Sequence, residues 1–258
     1  MSGPQSPGPR AGFWRRAIAA LIDGLIVAVP IQILVVPLFL LTNGAVQFHG
    51  GVTYKNCANP VQISELPSGL TPPPPENSNF AFICRTYFFG LPTAQSLTVE
   101  RRTKEGNVTR TVWRAYPLGV DGKPRSAWSL DGWALILLFA YLIFLENRFG
   151  RTIGKRLLGI RVVDLLHPER TGVPLGKVIV RHALIWAGLS FMLIAYFVSY
   201  VANGGNAEAM ARGNIFTWVA LGAVFFIAWA LWIVVQVARK HDPVYDAIAG
   251  TAVLKQAA

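Results

Sequence analysis

Charged residues and cysteines are scarce in this sequence. Charged side chains make up 14% of its 258 residues and apolar side chains 53%, with a mean hydropathy of +0.42. An ordinary soluble domain has roughly 25% charged residues, so a wholly water-soluble globular protein is excluded. The two cysteines, Cys57 and Cys84, are too few for a disulfide-dense scaffold or a cysteine-rich metal framework.

Acidic residues are also few relative to basic ones. The chain has 24 lysines and arginines against 13 aspartates and glutamates, which gives a net charge of +11. Such an excess occurs in nucleic-acid-binding proteins, but in a chain this apolar it indicates contact with anionic lipid head groups. We therefore expect the lipid bilayer as a partner and no nucleic acid.

Motifs for catalysis and cofactor binding are missing. The histidines His49, His167, His182 and His241 are scattered, and no set of metal-binding residue types has ligand spacing. The segment 150–155 has only three residues between its glycines and lacks the Ser or Thr after the lysine that a phosphate-binding loop requires. We expect no enzyme, no cofactor and no metal site.

Four apolar windows are long enough to cross a membrane, since a spanning helix needs about 20 mostly apolar residues. They are residues 17–41, 126–145, 183–201 and 215–237. The sequence therefore predicts an all-α membrane protein, a four-helix transmembrane bundle that occupies residues 17–258. The preceding residues 1–16, rich in Pro, Gly and Ser at their start, are predicted to form a disordered cytoplasmic tail.

Lysines and arginines in the short connecting segments set the orientation of the spans, because cytoplasmic segments carry the excess. The segment 146–182 has eight, whereas the segment 202–214 has one. Both termini are therefore predicted to be cytoplasmic and the long segment 42–125 extracytoplasmic. In an oxidising compartment Cys57 and Cys84 can form a disulfide; the alternative is two unpaired thiols.

The extracytoplasmic segment 42–125 is predicted to be a small β-rich module inserted between the first two spans. An aromatic strand is expected at 80–89. The sequences SLTVERRT and NVTRTVWRAY flank the turn-forming KEG and predict a β-hairpin.

Asp23 lies about 9 Å deep in the first apolar window, where an unpaired acid costs about 2.5–3.5 kcal/mol on insertion scales. Arg16 points in the same direction seven positions earlier. Asp246 lies in HDPVYDAIAGTAVL, and the apolar stretch 247–254 is too short to cross a membrane, so it lies along the interface or folds back. Arg16, Asp23 and Asp246 form either an ion- or proton-binding site or a structural charge cluster.

The basic segment GRTIGKRLLGIRVVD follows the second span. Arg151, Lys155 and Arg156 are predicted to contact lipid phosphates at the head-group level. The alternative is an ordinary solvated cytoplasmic loop. Residues 160–164 alternate in hydrophobicity and predict a strand.

Three stretches resemble motifs of the RDD family of small integral membrane proteins, named for one arginine and two aspartates. They are AGFWRRAIAALIDGLIV, GRTIGKRLLGIRVV and HDPVYDAIAGTAVL. Arg16 matches the family arginine, and Asp23 and Asp246 match the two aspartates. The resemblance does not cover the proline-rich external segment, and it implies a location in the bacterial cytoplasmic membrane.

The resemblance implies little about function, since transport of an unidentified ligand and monovalent cation/proton exchange have both been suggested for the family. Two hypotheses follow. The protein is a small transporter or exchanger of a monovalent cation or proton, or it is a non-transporting accessory or scaffold subunit. In either case it is expected to associate with a second copy or with another membrane protein.

Overall fold

The computed structural model contains both long apolar helices and β-strands. The described residues are 8–106, 108–202, 215–239 and 241–256. Helices hold 48% and strands 24% of them. The prediction of an all-α four-helix transmembrane bundle is therefore wrong, because three separate sheets accompany the helices.

The helices have clear boundaries in the described parts of the chain. In chain order they are α1 (Phe13–Leu41), α2 (Asp131–Phe149), α3 (Ile153–Leu157), α4 (Leu175–Ile185), α5 (Ala187–Ala202), α6 (Ile215–Ala238) and α7 (Val244–Ala249), with a short 3₁₀ turn at Ile63–Glu65.

The strands form one four-stranded sheet and two pairs. They are β1 (Val46–Gln47), β2 (Tyr54–Pro60), β3 (Phe80–Phe88), β4 (Leu91–Glu105), β5 (Val108–Pro117), β6 (Trp128–Ser129), β7 (Ile160–Asp164) and β8 (Thr251–Lys255). The large sheet has the order β2-β3-β4-β5 and is antiparallel, β1 pairs in parallel with β6, and β7 pairs antiparallel with β8.

Among the described residues, three helices are long and apolar enough to cross a membrane: α1, α2 and the part of α6 from Thr217 to Ala238. The third predicted span, 183–201, is not one straight helix. It covers the end of α4 and most of α5, and these two helices are bent by 62° at Trp186. The pair counts as a fourth span only if the two bent helices are taken together.

Close packing between α5 and α6 depends on one glycine. A Cβ atom added at Gly188 would lie 3.2 Å from Cα of Phe226, tighter than most van der Waals contacts. The missing side chain therefore lets α5 approach the backbone of α6, next to the bend at Trp186.

The chain divides into two compact units, residues 1–24 with 138–258 (unit 1) and residues 25–137 (unit 2). In unit 1 the segment before α1 runs beside β8: the backbone N–H of Ala11 donates to the carbonyl of Val253 at 2.9 Å, and that of Lys255 donates to Pro9 at 2.9 Å. The tail predicted to be disordered over 1–16 is thus ordered from residue 8, while residues 1–7 lie outside the described part.

The small sheet of unit 1 lies on an aliphatic core. The predicted strand at 160–164 is confirmed as β7, and the fold-back expected for 247–254 occurs as helix α7 followed by strand β8. Gly250, with a φ of 64°, makes the left-handed turn between these two elements. The core residues are Ala11, Ala19, Ile160, Val162, Val173, Val178 and Val253.

Unit 2 contains the predicted β-rich module. The aromatic strand and the hairpin are confirmed as β3 and the β4–β5 pair, whose register runs from Ser96 opposite Pro117 to Glu105 opposite Val108. The proline run lies against β5, where the hydroxyl of Tyr116 donates to the carbonyl of Pro72 at 2.9 Å. The core of the sheet comprises Leu70, Ala81, Leu97, Val99, Tyr116 and Leu118.

The predicted disulfide is present. Cys57 in β2 and Cys84 in β3 are bonded across neighbouring strands. The bond closes a loop over a sequence separation of 27 residues and secures the edge strand β2 to the sheet.

We expect that replacing both cysteines, Cys57→Ser with Cys84→Ser, destabilises unit 2 by about 2–4 kcal/mol, because the unfolded module gains loop entropy. Pulse proteolysis of the full-length protein over a urea series measures the loss as a lower urea concentration for half-cleavage at sites within 42–125. The native protein treated with reductant is the control and should behave like the double variant. Unchanged protease resistance of the double variant would contradict the structural role of the bond.

Candidate functional site: a buried charge network

Five charged side chains of unit 1 form a continuous chain of ion pairs. Nζ of Lys155 lies 2.5 Å from Oε1 of Glu146, and Oε2 of Glu146 lies 2.7 Å from Nη1 of Arg181. Nε of Arg181 lies 2.7 Å from Oδ1 of Asp246, whose Oδ2 lies 2.8 Å from Nη1 of Arg16. We call these five residues the charge network.

Each member of the charge network comes from a different helix. Arg16 is in the first turn of α1, Glu146 in the last turn of α2, Lys155 in α3, Arg181 in α4 and Asp246 in α7. The side chains of Glu146 and Asp246 are 0% exposed and that of Arg181 is 4% exposed. Because buried charges are costly unless paired and hydrogen-bonded, the network fixes the positions of five helices relative to one another.

Asp246 has a third partner that explains its sequence context. The hydroxyl of Thr251 donates to Oδ1 of Asp246 at 3.0 Å. The left-handed turn at Gly250 reverses the chain between the two residues and so brings this hydroxyl back to the carboxylate. The Gly-Thr pair of the third sequence motif therefore completes the hydrogen bonding of its aspartate.

His182 lies beside Glu146 without a matching hydrogen bond. Its Nε2 is 3.3 Å from Oε2 of Glu146, close enough for an ion pair, but the geometry is not that of a hydrogen bond. Nδ1 also has no hydrogen-bond partner among the described residues, although the residue is only 5% exposed. Such an orphaned buried group is uncommon in folded proteins.

Asp23 is buried, at 1% exposure, and is held by neutral donors. Its Oδ1 accepts from the hydroxyl of Tyr141 at 2.7 Å and from the backbone N–H of Gly154 at 2.8 Å. Its Oδ2 accepts from the hydroxyl of Thr152 at 2.5 Å. Arg16, which points in the same direction along the helix, pairs with Asp246 instead of Asp23.

Gly154 is required for this arrangement. A Cβ atom at this position would collide with the carbonyl oxygen of Ala19 and lie 2.9 Å from Oδ1 of Asp23. Only glycine therefore lets the first turn of α3 approach α1 closely enough for its backbone N–H to reach the carboxylate.

The predicted lipid-facing residues separate into two groups. Lys155 is not at an exposed surface position: its ammonium group binds buried Glu146 and its side chain is only 13% exposed. Arg156 is exposed, and Arg151 donates to the side-chain carbonyl of Gln256 at 2.9 Å. Head-group contact stays a prediction for Arg151 and Arg156.

A second ion pair anchors β7 to α4. Nζ of Lys177 lies 2.5 Å from Oδ1 of Asp164, and the backbone N–H of Leu166 donates to the same oxygen at 3.0 Å. Burial raises the pKa of the Asp164 carboxyl, but these hydrogen bonds outweigh it and hold the pKa below its ordinary value. Asp164 is therefore a charged anchor at neutral pH.

Tyr245 covers one side of the network. The guanidinium of Arg181 lies 5.5 Å from the centre of its ring, within cation–π distance. Burial, followed by the nearby Asp246 carboxylate, raises the pKa of the Tyr245 hydroxyl above its ordinary value. The ring therefore stays neutral and shields the ion pairs from water.

A cavity of about 360 Å³ borders the network. Its apolar walls come from α1, α2 and α4, and its charged lining includes Arg16, Asp23, Lys155 and Arg181, with His182 among the polar groups. The three residues Arg16, Asp23 and Asp246 thus belong to one region, but only the first and third are in contact.

From the sequence alone, none of Glu146, Arg181, Tyr141 and Thr152 is identified as a site residue. One signal was available for Arg181: it adjoins His182 in a helix whose other residues, apart from Lys177, are apolar or glycine, and two neighbouring polar groups there need buried partners. Nothing in the sequence marks the hydroxyls of Tyr141 and Thr152.

The described residues include no group of three or more His, Cys, Asp or Glu side chains that could hold a metal ion. Long apolar helices together with a charge network buried among their ends define an integral membrane protein. Residues 127–250 match the model of the RDD family, so this part of the chain is an RDD family domain. No curated protein and no solved structure matches the chain.

The family match begins after the external segment. It includes Glu146, Lys155, Arg181 and Asp246 but neither Arg16 nor Asp23. The fold nevertheless joins Arg16 to the matched domain through Asp246 at 2.8 Å.

We expect Arg181→Met to destabilise unit 1 strongly, because two buried carboxylates lose a shared cation. Removing one partner of a buried pair costs about 3–5 kcal/mol, which lowers the Tm by at least about 6 °C in a chain of this size. Thermal unfolding of the detergent-purified protein measures the change. Arg148→Met, at an exposed arginine of α2, is the matched control and should leave the Tm nearly unchanged. Equal Tm values for the two variants would show that the network does not stabilise the fold.

Proposed function

We propose that the protein is a non-transporting accessory or scaffold subunit of a membrane complex, with the charge network as its structural core. One observation supports this proposal. Every carboxylate oxygen of Asp23, Glu146 and Asp246 accepts a hydrogen bond from a protein donor. A cation bound at any of them would have to compete with a donor that the fold already supplies.

The proposal includes a multi-pass topology in the bacterial cytoplasmic membrane with both termini cytoplasmic. It is supported by the eight lysines and arginines within 146–182 and by the disulfide between Cys57 and Cys84, which suits an oxidising compartment. The bilayer, with its anionic head groups, is then the immediate partner of Arg151 and of the exposed Arg156.

The surface proposed to meet a protein partner is the β3–β4 turn of unit 2. Phe89 at this turn is 81% exposed and has a φ of 46°, a left-handed conformation that is rare for a bulky residue. The following Gly90 and the exposed Leu91 continue the turn. A strained turn that presents aromatic and aliphatic side chains to solvent is typical of a contact site.

The second candidate function is exchange of a monovalent cation or proton. The observation that favours it is the cavity lined by Asp23, since a transport site needs access to an ionisable group. This function requires Asp23 to exchange its contacts with Tyr141, Thr152 and Gly154 for the transported ion.

Proteoliposomes separate the two functions. We expect sodium, potassium and proton fluxes through the native protein to equal those of protein-free liposomes, because the carboxylates of Asp23, Glu146 and Asp246 are already bonded to protein donors. Asp23→Asn should give the same background flux. Flux above background in the native protein that is lost in Asp23→Asn would overturn the scaffold proposal in favour of exchange. The measurement on the native protein tests for flux even if the variant does not fold.

Photocrosslinking tests the partner surface in intact membranes. We expect p-benzoylphenylalanine in place of Phe89 to give a discrete heavier protein species, because this side chain projects from the turn. The same amino acid in place of Val120, which is also exposed in unit 2, is the control and should give none. A product of twice the chain mass identifies a second copy, and another discrete mass identifies a different protein. Crosslinks only to lipid, or equal products at both positions, would count against a docking role for the turn.

A further inference from the structure

The cavity beside the charge network combines an apolar wall with a cationic one. Leu142 and Leu138 line it from α2, four and eight residues before Glu146, which corresponds to about 6 and 12 Å along a helix. Ile185 and Trp186 line it from the end of α4. The apolar wall therefore leads away from the network along a helix long enough to span the membrane.

The cationic wall has hydrogen-bond donors to spare. Arg181 uses Nε for Asp246 and Nη1 for Glu146, and its Nη2 donates to no described residue. Nζ of Lys155 has three hydrogens and one acceptor, Glu146. The charged lining of the cavity has three cations, Arg16, Lys155 and Arg181, and one carboxylate, that of Asp23, so positive charge is in excess there.

His182 supplies an independent observation. It is 95% buried, lines the cavity, and has an Nδ1 atom without a partner among the described residues. Its Nε2 also lacks a hydrogen-bond partner among the described residues, and a hydroxyl group, which can both donate and accept, suits either ring nitrogen. A ligand that supplies a hydroxyl as well as an anion would therefore satisfy both His182 and the spare donors.

We propose that this cavity binds the head group of an anionic phospholipid from the surrounding bilayer, with the acyl chain along Leu142 and Leu138. The volume of about 360 Å³ is near the lower end of ligand pockets, which suits a head group and the start of a chain. Basic pockets between membrane helices are a recurrent site for acidic lipid head groups. The site differs from the arginines Arg151 and Arg156, which do not line it.

The lipid preference of the native full-length protein is the first test. Native mass spectrometry of the detergent-purified protein, titrated separately with phosphatidylglycerol and phosphatidylcholine, measures the retained lipid. We expect phosphatidylglycerol to bind about tenfold more tightly, as one added charge-assisted hydrogen bond allows. Equal retention of the two lipids would overturn the proposal without the use of any variant.

A pair of isoleucines in α4 tests the location. Ile185→Trp fills the cavity and should abolish the preference for phosphatidylglycerol, whereas Ile179→Trp, at an exposed position of the same helix, should keep it. Leu142→Trp fills the cavity from α2 and should repeat the loss if Ile185→Trp does not fold. A preference that persists in a folded cavity-filling variant would overturn the assignment to this cavity.

Inorganic phosphate distinguishes a lipid from a soluble anion. Because the apolar wall contributes to binding, millimolar phosphate should leave phosphatidylglycerol bound to the native protein. Displacement of the lipid by phosphate alone would assign the cavity to a free anion and overturn the lipid proposal.

Discussion

One buried guanidinium serves two buried carboxylates, and the arrangement of unit 1 depends on this sharing. Arg181 bonds Glu146 with one nitrogen and Asp246 with another, both at 2.7 Å. The planar fork of arginine suits such a bridge better than the single ammonium group of lysine. Arg16 pairs with the other oxygen of Asp246, and Lys155 pairs with the other oxygen of Glu146. Five helices therefore meet around these two acids.

The sequence allowed part of this site to be predicted. A lone acid in an apolar window, an arginine seven residues earlier and an aspartate after the last span could be identified because charges in such surroundings need compensation. The pairing itself could not, since Arg16 had two acidic candidates and only the fold separates them. Asp23 accepts hydrogen bonds from two hydroxyls and a backbone N–H, and such neutral donors leave no charge pattern in a sequence.

Some elements of the fold could likewise be predicted from the sequence and others could not. Alternating hydrophobicity predicted β7 and the β4–β5 hairpin, because a strand with one buried face repeats every two residues. The same rule failed for β8, since a short apolar stretch is consistent with either a helix or a strand until its partner is known. The bend at Trp186 lay inside a uniformly apolar window, and composition alone does not reveal where a helix breaks.

Arg16 and Asp246 are 230 positions apart, and the backbone before α1 is hydrogen-bonded to β8. Arg16 is therefore synthesised long before Asp246. While the chain is being made, α1 has to reside in the translocation machinery or the bilayer with its cation still hydrated. The final fold of this domain is thus a late event of biosynthesis, completed only after the segment from α7 to β8 has emerged.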